Sequence, residues 1–166
     1  MRNPDSDSIK ELQNAYPKNR FAVVTIDYSD YPSIKKAAKE AAKILPSGLD
    51  YLISNAGVSL QENSTFEDMY GLLAHALAYI ADASFLSDLK AFEEELRVNT
   101  VAPIEVVRSF LPLVRKGTAK KVVFLSSILS SIDFAPNVAT LAVTYGITKA
   151  GLNMYVTQVE YGDPDS

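Results

Sequence analysis

Three runs of apolar residues, at 21–26, 49–54 and 122–125, constrain the fold of this chain more than any other feature of its sequence. Each is rich in β-branched or aliphatic residues, is too short for a typical helix and leads into polar residues, which is typical of strands. Helical patterns separate the three runs. Strands that alternate with amphipathic helices predict an α/β protein with a parallel sheet that helices cover on both faces.

Apolar residues at helical spacing predict the helices between these strands. Segment 31–45 carries an alanine-rich face opposite a row of lysines, and segment 69–81 predicts a buried helix. A long helical pattern over 86–114 contains Pro103, which lacks a backbone donor and should kink or interrupt the helix. A last helix is expected to begin near residue 143.

Length and composition favour one domain that extends over residues 1–166. A chain of 166 residues, 48% of them hydrophobic, can bury a real core, and no linker or internal repeat divides it. The net charge is -4 and no long basic block occurs, so a phosphate-binding surface is not expected. We therefore expect no nucleic-acid partner.

The residue types exclude several other classes. The chain has no cysteine, which rules out disulfides, thiolate catalysis and cysteine-based metal centres, and fits a reducing compartment such as the cytoplasm. The N-terminal stretch MRNPDSDSIKELQN lacks the apolar core of a secretory signal, and no run of about 20 apolar residues predicts a membrane span. The single histidine, His75, lies in an apolar segment, where packing is its expected role, and we assign no metal ligands.

Polar or small residues follow each predicted strand. In an open parallel sheet, ligands bind outside the carboxyl ends of the strands, so these residues are expected to line one crevice. The residues concerned are Asp27, Asn55, Ala56, Gly57, Ser126 and Ser127, together with Tyr145 and Lys149 at the start of the last helix.

Tyr145 and Lys149 stand four residues apart, so one helical face carries both side chains. This spacing alone does not establish a site, because Tyr31 and Lys35 have the same separation. Only the surrounding motifs distinguish the two pairs.

Five motifs, in the same order along the chain, resemble those of the short-chain dehydrogenase/reductase family. They are Asp27 in TIDYSD, NAG at 55–57, Asn99 in LRVNTVAP, FLSS at 124–127 and YGITKAGLN at 145–153. The ISNAG and YGITKAGLN variants are most similar to fungal-type carbonyl reductases. The resemblance implies a Rossmann-like fold and an NAD(P)(H)-dependent enzyme that transfers hydride between carbonyl compounds and alcohols.

The resemblance also implies catalytic roles for four residues. Tyr145 would donate a proton to the carbonyl oxygen, or accept one in oxidation, and the Lys149 ammonium would favour the phenolate. Ser127 would hydrogen-bond the substrate oxygen and orient it. Asn99 would shape the long helix and take part in a proton relay through water.

Two other serines are alternatives to Ser127. The spacing from Ser127 to Tyr145 is longer than the family usually shows, which keeps Ser130 and Ser131 open as the substrate-orienting serine. We favour Ser127 because it directly follows the predicted strand.

The cofactor that the resemblance implies is NADP(H) or NAD(H). Asp27 would accept a hydrogen bond from the adenine, and Lys149 would hold the ribose hydroxyls beside Tyr145. The turn at 55–57 would let the backbone approach the cofactor, because Gly57 has no side chain to obstruct it.

The sequence departs from the family pattern at both ends. It contains no glycine-rich phosphate motif, and the first two strands of the family and those after the Tyr-Lys helix are absent. We therefore expect a truncated protein with an incomplete sheet, weakened cofactor binding and weak or no activity. The selector between NAD and NADP normally lies on the absent second strand, and the substrate is defined only as a small carbonyl or alcohol compound.

The alternative hypothesis is a non-enzymatic interaction protein derived from this family. The helices expected at 90–115 and 145–161 correspond to the surfaces through which the family typically dimerises. Such a chain could form a homodimer or pair with a full-length relative.

Overall fold

The computed structural model describes residues 6–16, 20–60, 83–134 and 142–162, with side chains throughout except at 83–88 and 159–162. The helix predicted at 69–81, with His75, lies outside these ranges. The described helices are α1 (Asp7–Ala15), α2 (Tyr31–Ile44), α3 (Ala83–Leu96), α4 (Ala102–Lys116) and α5 (Val143–Gly162). The described strands are β1 (Tyr51–Ser54) and β2 (Lys121–Phe124).

β1 and β2 form a parallel, two-stranded sheet. The Lys121 N–H donates to the Asp50 carbonyl at 2.9 Å at the start of the pairing, and the Asp50 carboxylate accepts the Thr118 N–H at 2.6 Å. Tyr51 and Ile53 of β1 are exposed. Parallel strands separated by helices confirm the α/β class, in a form consistent with an incomplete Rossmann-like sheet.

The strand predicted at 21–26 is wrong. Residues 21–27 form neither a helix nor a strand. A strand needs a neighbouring strand to complete its ladder of backbone hydrogen bonds, and strand pairing in the described ranges joins β1 to β2 alone. The apolar run therefore buries part of its side chains without entering the sheet.

The chain groups into two compact units. The first unit comprises Met1–Ser54 and Ile104–Val123, and the second comprises Asn55–Pro103 and Phe124–Ser166. The single domain expected over residues 1–166 stays a prediction.

Helices α2 and α4 supply most of the core of the first unit. α2 begins at Tyr31, with Pro32 in its first turn, where the missing N–H of proline is not needed for the helix. The buried side chains of both helices recur at helical spacing. They are Ile34, Ala37, Ala38 and Ala41 of α2, and Val106, Leu113 and Val114 of α4.

The second Tyr-Lys pair of the sequence lies on the surface of this unit. Tyr31 is exposed, and the exposed Lys35 ammonium lies 3.6 Å from the Glu105 carboxylate. An exposed ion pair of this kind contributes roughly 0–1 kcal/mol to stability. Tyr31 and Lys35, which lack the accompanying motifs, thus form a surface pair.

Two glycines let the chain before β1 cross closely to the end of α4. Gly48 has a φ of 104°, and a Cβ placed on Gly117 would lie 2.3 Å from the Leu49 carbonyl oxygen. The Leu49 N–H donates to the Leu113 carbonyl at 3.0 Å. This contact sets the point at which β1 begins, because no side chain separates the two backbones.

A π-helical turn, Arg97–Val101, interrupts the long helix predicted from the sequence and separates α3 from α4. The Ala102 N–H donates to the Arg97 carbonyl, five residues back. Pro103 has no N–H to offer the Asn99 carbonyl, so the regular α-helical pattern cannot pass through this point. The predicted interruption at Pro103 is confirmed.

The helices differ in how much of their surface is apolar. α1 buries Ile9 and exposes Leu12, whereas α5 buries apolar and polar residues alike. Within the ranges that the structure describes, we find no helix with both the length and the apolar character needed to cross a membrane.

Candidate active site

Helix α5, in the second unit, carries Tyr145 and Lys149 on one face. The Thr148 hydroxyl donates to the Tyr145 carbonyl at 2.7 Å within the first turns of the helix. Lys149 is only 3% exposed, and its Nζ lies 5.7 Å from the centroid of the half-buried Tyr145 ring. A tyrosine and a buried ammonium therefore lie side by side.

The Lys149 ammonium is held just beyond the end of β2. Its Nζ donates to the Leu125 carbonyl at 2.9 Å, which uses one of its three protons. Burial lowers the pKa of Lys149 from the ordinary 10.5, because desolvation disfavours the charged form. The remaining protons can be donated to a ligand.

The lowered pKa of Lys149 is expected to make stability depend on pH. At pH values between the pKa of Lys149 in the folded protein and 10.5, the unfolded chain binds more protons than the folded one. The free energy of unfolding therefore rises with pH in this window. The destabilisation from the buried ammonium is fully present below that window and disappears above it. Urea unfolding across alkaline pH should show this rise in the wild type, and Lys149→Met should lack it.

Lys39→Met is the matched control for this experiment, since Lys39 is an exposed lysine on α2. It should keep the alkaline rise of the wild-type protein. The same pH dependence in Lys149→Met and in the wild type would contradict a destabilising burial of this ammonium.

Asn99 connects the π-helical turn to the chain that follows β1. Its side chain is fully buried, its Oδ1 accepts the Val58 N–H at 2.8 Å, and its Nδ2 donates to the Val58 carbonyl at 2.8 Å. Nδ2 also donates to Thr148 Oγ1 at 3.0 Å. Because both amide protons are donated, the side chain is fixed between two other segments of the unit.

Gly57 lies against two of the predicted catalytic residues. A Cβ placed on Gly57 would lie 3.3 Å from Asn99 Oδ1 and 3.5 Å from Lys149 Nζ. Asn55 and Ala56, which precede it, are exposed. The NAG turn therefore presents backbone, rather than side chain, to the Lys149 ammonium.

Ser127 caps the 3₁₀ turn Ile128–Ser130 that follows β2. Its Oγ accepts the Leu129 N–H at 3.2 Å, and its own hydroxyl proton has no acceptor within the described ranges. A half-buried hydroxyl with a free proton can donate to a substrate oxygen.

The two alternative serines differ from each other. Ser130 is 8% exposed, and its hydroxyl proton is donated to the Ser127 carbonyl, so it cannot be donated to a substrate at the same time. Ser131 accepts the Phe134 N–H at 3.3 Å. The geometry disfavours Ser130 and leaves Ser127 and Ser131 as candidates.

Thr148 and Thr100 are site residues that the sequence patterns do not predict. Thr148 is fully buried, accepts the Asn99 amide, and receives at its own carbonyl the Thr100 hydroxyl at 2.7 Å. These bonds attach α5 to the π-helical turn. The available signal was the position of Thr148, directly before Lys149 and one turn after Tyr145.

Glu95 is also missed by the sequence patterns. It is fully buried, and its Oε1 accepts the Leu60 N–H at 2.6 Å, whereas Oε2 has no hydrogen-bond partner in the described part of the chain. Glu95 stands one turn before Asn99, so both side chains hold the segment that follows the NAG turn.

Asp27 belongs to the first unit, whereas the other predicted site residues belong to the second. Its carboxylate accepts the Ser29 N–H at 2.9 Å, and its N–H donates to Ser33 Oγ at 2.9 Å. These bonds form an Asx-type turn before α2. The adenine contact expected for Asp27 stays a prediction.

Known proteins share the sequence pattern of this chain. The family profile for short chain dehydrogenases matches residues 2–161. The short-chain dehydrogenase/reductase AacuF of Aspergillus aculeatus is 33% identical over 136 residues, which are 81% of this chain and 47% of that protein. The short-chain dehydrogenase/reductase atnB of Arthrinium sp is 26% identical over 166 residues, 95% of this chain and 55% of that protein. The chain thus spans about half the length of these curated relatives.

Solved structures share the fold. The NADPH bound carbonyl reductase from chicken fatty liver superposes with a TM-score of 0.70 at 27% identity, over 97% of this chain and 62% of that chain. The carbonyl reductase Sniffer of D. melanogaster gives a TM-score of 0.71 at 20% identity, over 98% of this chain and 61% of that chain.

The parallel strands separated by helices define an α/β protein of the Rossmann-like type. The chain belongs to the short-chain dehydrogenase family, because the family profile covers almost its entire length.

Proposed function

We propose that this chain is an NAD(P)(H)-dependent oxidoreductase that interconverts small carbonyl compounds and alcohols through a Ser-Tyr-Lys centre. The observation that carries the proposal is the buried Lys149 ammonium, which lies 5.7 Å from the Tyr145 ring and is anchored to the Leu125 carbonyl. The chain's similarity to oxidoreductases over most of its length supports the proposal.

The residues around Lys149 fit a nicotinamide cofactor. Two ammonium protons remain for oxygen acceptors such as ribose hydroxyls, and the backbone of Gly57 lies close enough that a Cβ would sit 3.5 Å from Nζ. Asn55 and Ala56 extend this surface, and Asp27 is assigned to the adenine. When bound, the reduced cofactor supplies a hydride to the carbonyl carbon of the substrate.

The chain's own residues handle the proton and the orientation of the substrate. Ser127 donates its free hydroxyl proton as a hydrogen bond to the carbonyl oxygen, and Tyr145 transfers its phenolic proton to the same oxygen. The Lys149 ammonium stabilises the phenolate that remains. In alcohol oxidation, the Tyr145 phenolate accepts the proton instead.

Asn99 is proposed to hold the site together and to contribute to proton transfer through its backbone. Both of its amide protons are already donated, so a water relay cannot use them. Its carbonyl oxygen lies in the π-helical turn and cannot be paired with Pro103, which has no N–H. A water at that carbonyl would complete the relay.

The expected affinity for the cofactor is low, because the sequence contains no glycine-rich phosphate motif. Titration of the purified chain with NADPH and with NADH should give saturable binding and a raised thermal midpoint. Lys149→Met should weaken this binding. No saturable binding of either nucleotide would contradict the enzyme proposal for this chain.

An interaction protein is the second candidate function. Val101 in the π-helical turn and Ile147 and Met154 on α5 are exposed apolar side chains, which favours a contact surface. We propose that the helices at 90–115 and 145–161 bind a second copy of this chain or a full-length relative. Light scattering of the purified chain, alone and mixed with such a relative, tests this proposal. A chain that stays monomeric and does not bind the relative would exclude the interaction function.

The cellular setting is proposed from composition. The absence of cysteine fits a reducing compartment, and we place the protein in the cytoplasm. A small carbonyl or alcohol compound, rather than a nucleic acid, is the proposed ligand beside the cofactor.

A further inference from the structure

A chain of side-chain hydrogen bonds connects α5 to the turn that carries Ser127, and it uses residues with no part in the proposed reaction. Asn153 Nδ2 donates to Ser130 Oγ at 2.8 Å, and the Ser130 hydroxyl donates to the Ser127 carbonyl. We propose that Asn153 is a positioning residue for Ser127 that acts through Ser130. This inference rests on the role of Ser127 in the proposed function.

The chemistry of the groups sets the direction of every bond in this network. A carbonyl oxygen can only accept, so the one proton of the Ser130 hydroxyl goes to Ser127. Asn153 must therefore present its N–H groups rather than its oxygen, and Ser126, whose Oγ lies 3.1 Å from Ser130 Oγ, must donate. Ser130 is fully occupied and cannot turn away without breaking a hydrogen bond.

Helix α5 contacts segment 125–130, which contains this turn, at three positions along the helix. A Cβ placed on Gly146 would lie 2.8 Å from the Leu129 carbonyl oxygen, the Lys149 ammonium binds the Leu125 carbonyl, and Asn153 reaches Ser130. These three residues are spaced three and four apart, so they lie on one face of the helix. The face that carries the proposed proton donor also fixes the proposed substrate-orienting serine.

The network acts on Ser127 through its backbone. The Ser127 carbonyl accepts the Ser130 N–H at 3.1 Å and the Ser130 hydroxyl, while Ser127 Oγ accepts the Leu129 N–H. Without Asn153, the Ser130 hydroxyl loses a donor that restrains its rotation. The backbone bonds of the turn remain, and Asn153 itself is exposed, so the turn should loosen rather than unfold.

Amide hydrogen exchange measured by NMR tests the proposal without reference to activity. In Asn153→Leu, the Leu129 and Ser130 amides should exchange about 3- to 10-fold faster, which corresponds to the net value of one hydrogen bond. Asn153→Asp, which keeps the size but cannot donate, should give the same change. Gln158→Leu replaces another exposed amide side chain on α5 and should leave both exchange rates unchanged.

A kinetic measurement distinguishes this inference from the proposed function. With NADPH and 4-nitrobenzaldehyde as the probe, Asn153→Leu should lower kcat about 3- to 10-fold and leave the dissociation constant of NADPH unchanged. Unchanged exchange, equal acceleration in Gln158→Leu, or faster exchange with unaltered kcat would overturn the positioning role. Faster exchange in a chain that binds no NADPH would support the network and overturn the proposed function alone.

Discussion

Tyr145→Phe should slow the NADPH-dependent reduction of 4-nitrobenzaldehyde by about 100-fold or more, since a positioned general acid contributes about 10²- to 10⁴-fold to such reactions. The substitution removes only the phenolic oxygen. The ring, which lies 5.7 Å from Lys149 Nζ, keeps its place. The dissociation constant of NADPH should therefore remain that of the wild type, and steady-state rates combined with nucleotide titration measure both quantities.

Tyr31→Phe is the matched control for this prediction. Tyr31 precedes Lys35 at the same spacing, but the pair lies on the surface beside Glu105. Loss of the Tyr31 hydroxyl should leave the turnover of 4-nitrobenzaldehyde unchanged. Turnover retained in Tyr145→Phe would rule out Tyr145 as the proton donor, whereas a loss of NADPH affinity would assign its hydroxyl to binding.

Asn99→Leu should lower the free energy of unfolding by about 2–4 kcal/mol, because each buried polar group left unpaired costs about 1–3 kcal/mol. The substitution leaves the Val58 N–H and carbonyl without the Asn99 side chain and removes a donor from Thr148. Leucine has a similar size, so little cavity forms. Urea unfolding measures the loss, and nucleotide titration should show weaker binding because the turn at 55–57 loses its anchor.

Asn153→Leu makes the same chemical change at an exposed asparagine and serves as the control for stability. It should cost less than about 1.5 kcal/mol, since one solvent-accessible hydrogen bond is removed. Equal losses at both positions would contradict the structural importance of the buried Asn99 amide.

Features that depend on neighbours within a few residues could be predicted from the sequence. The apolar spacing and Pro32 define α2, the short apolar runs define β1 and β2, and Pro103 marks the interruption of the long helix. In each case, local sterics or amphipathic spacing decides the outcome.

Features that depend on distant partners could not be predicted. The run at 21–26 has the composition of a strand, but composition does not supply a partner strand. The three consecutive glutamates at 93–95 are alike in the sequence, yet Glu95 is fully buried while Glu94 pairs with Arg97. Only the packed fold determines which of three identical residues faces inward.

The candidate site was accessible from the sequence in part. The accompanying motifs distinguish Tyr145 and Lys149 from Tyr31 and Lys35, and the structure brings the first two side chains together, while their catalytic roles stay a prediction. The argument against Ser130 required the direction of a hydrogen bond, because the Ser130 hydroxyl donates to the Ser127 carbonyl; Ser127 and Ser131 stay candidates. The assignment of Asp27 to the adenine still rests on resemblance.

The π-helical turn Arg97–Val101 has a consequence for the helical register on its two sides. Each α-helical residue advances the chain by about 100° around the axis, and the wider turn takes up an additional residue. The rotational phase of α3 is therefore not inherited by α4. The side chains of Glu95 and Asn99, which hold the segment after the NAG turn, and those that α4 buries therefore follow two different helical registers.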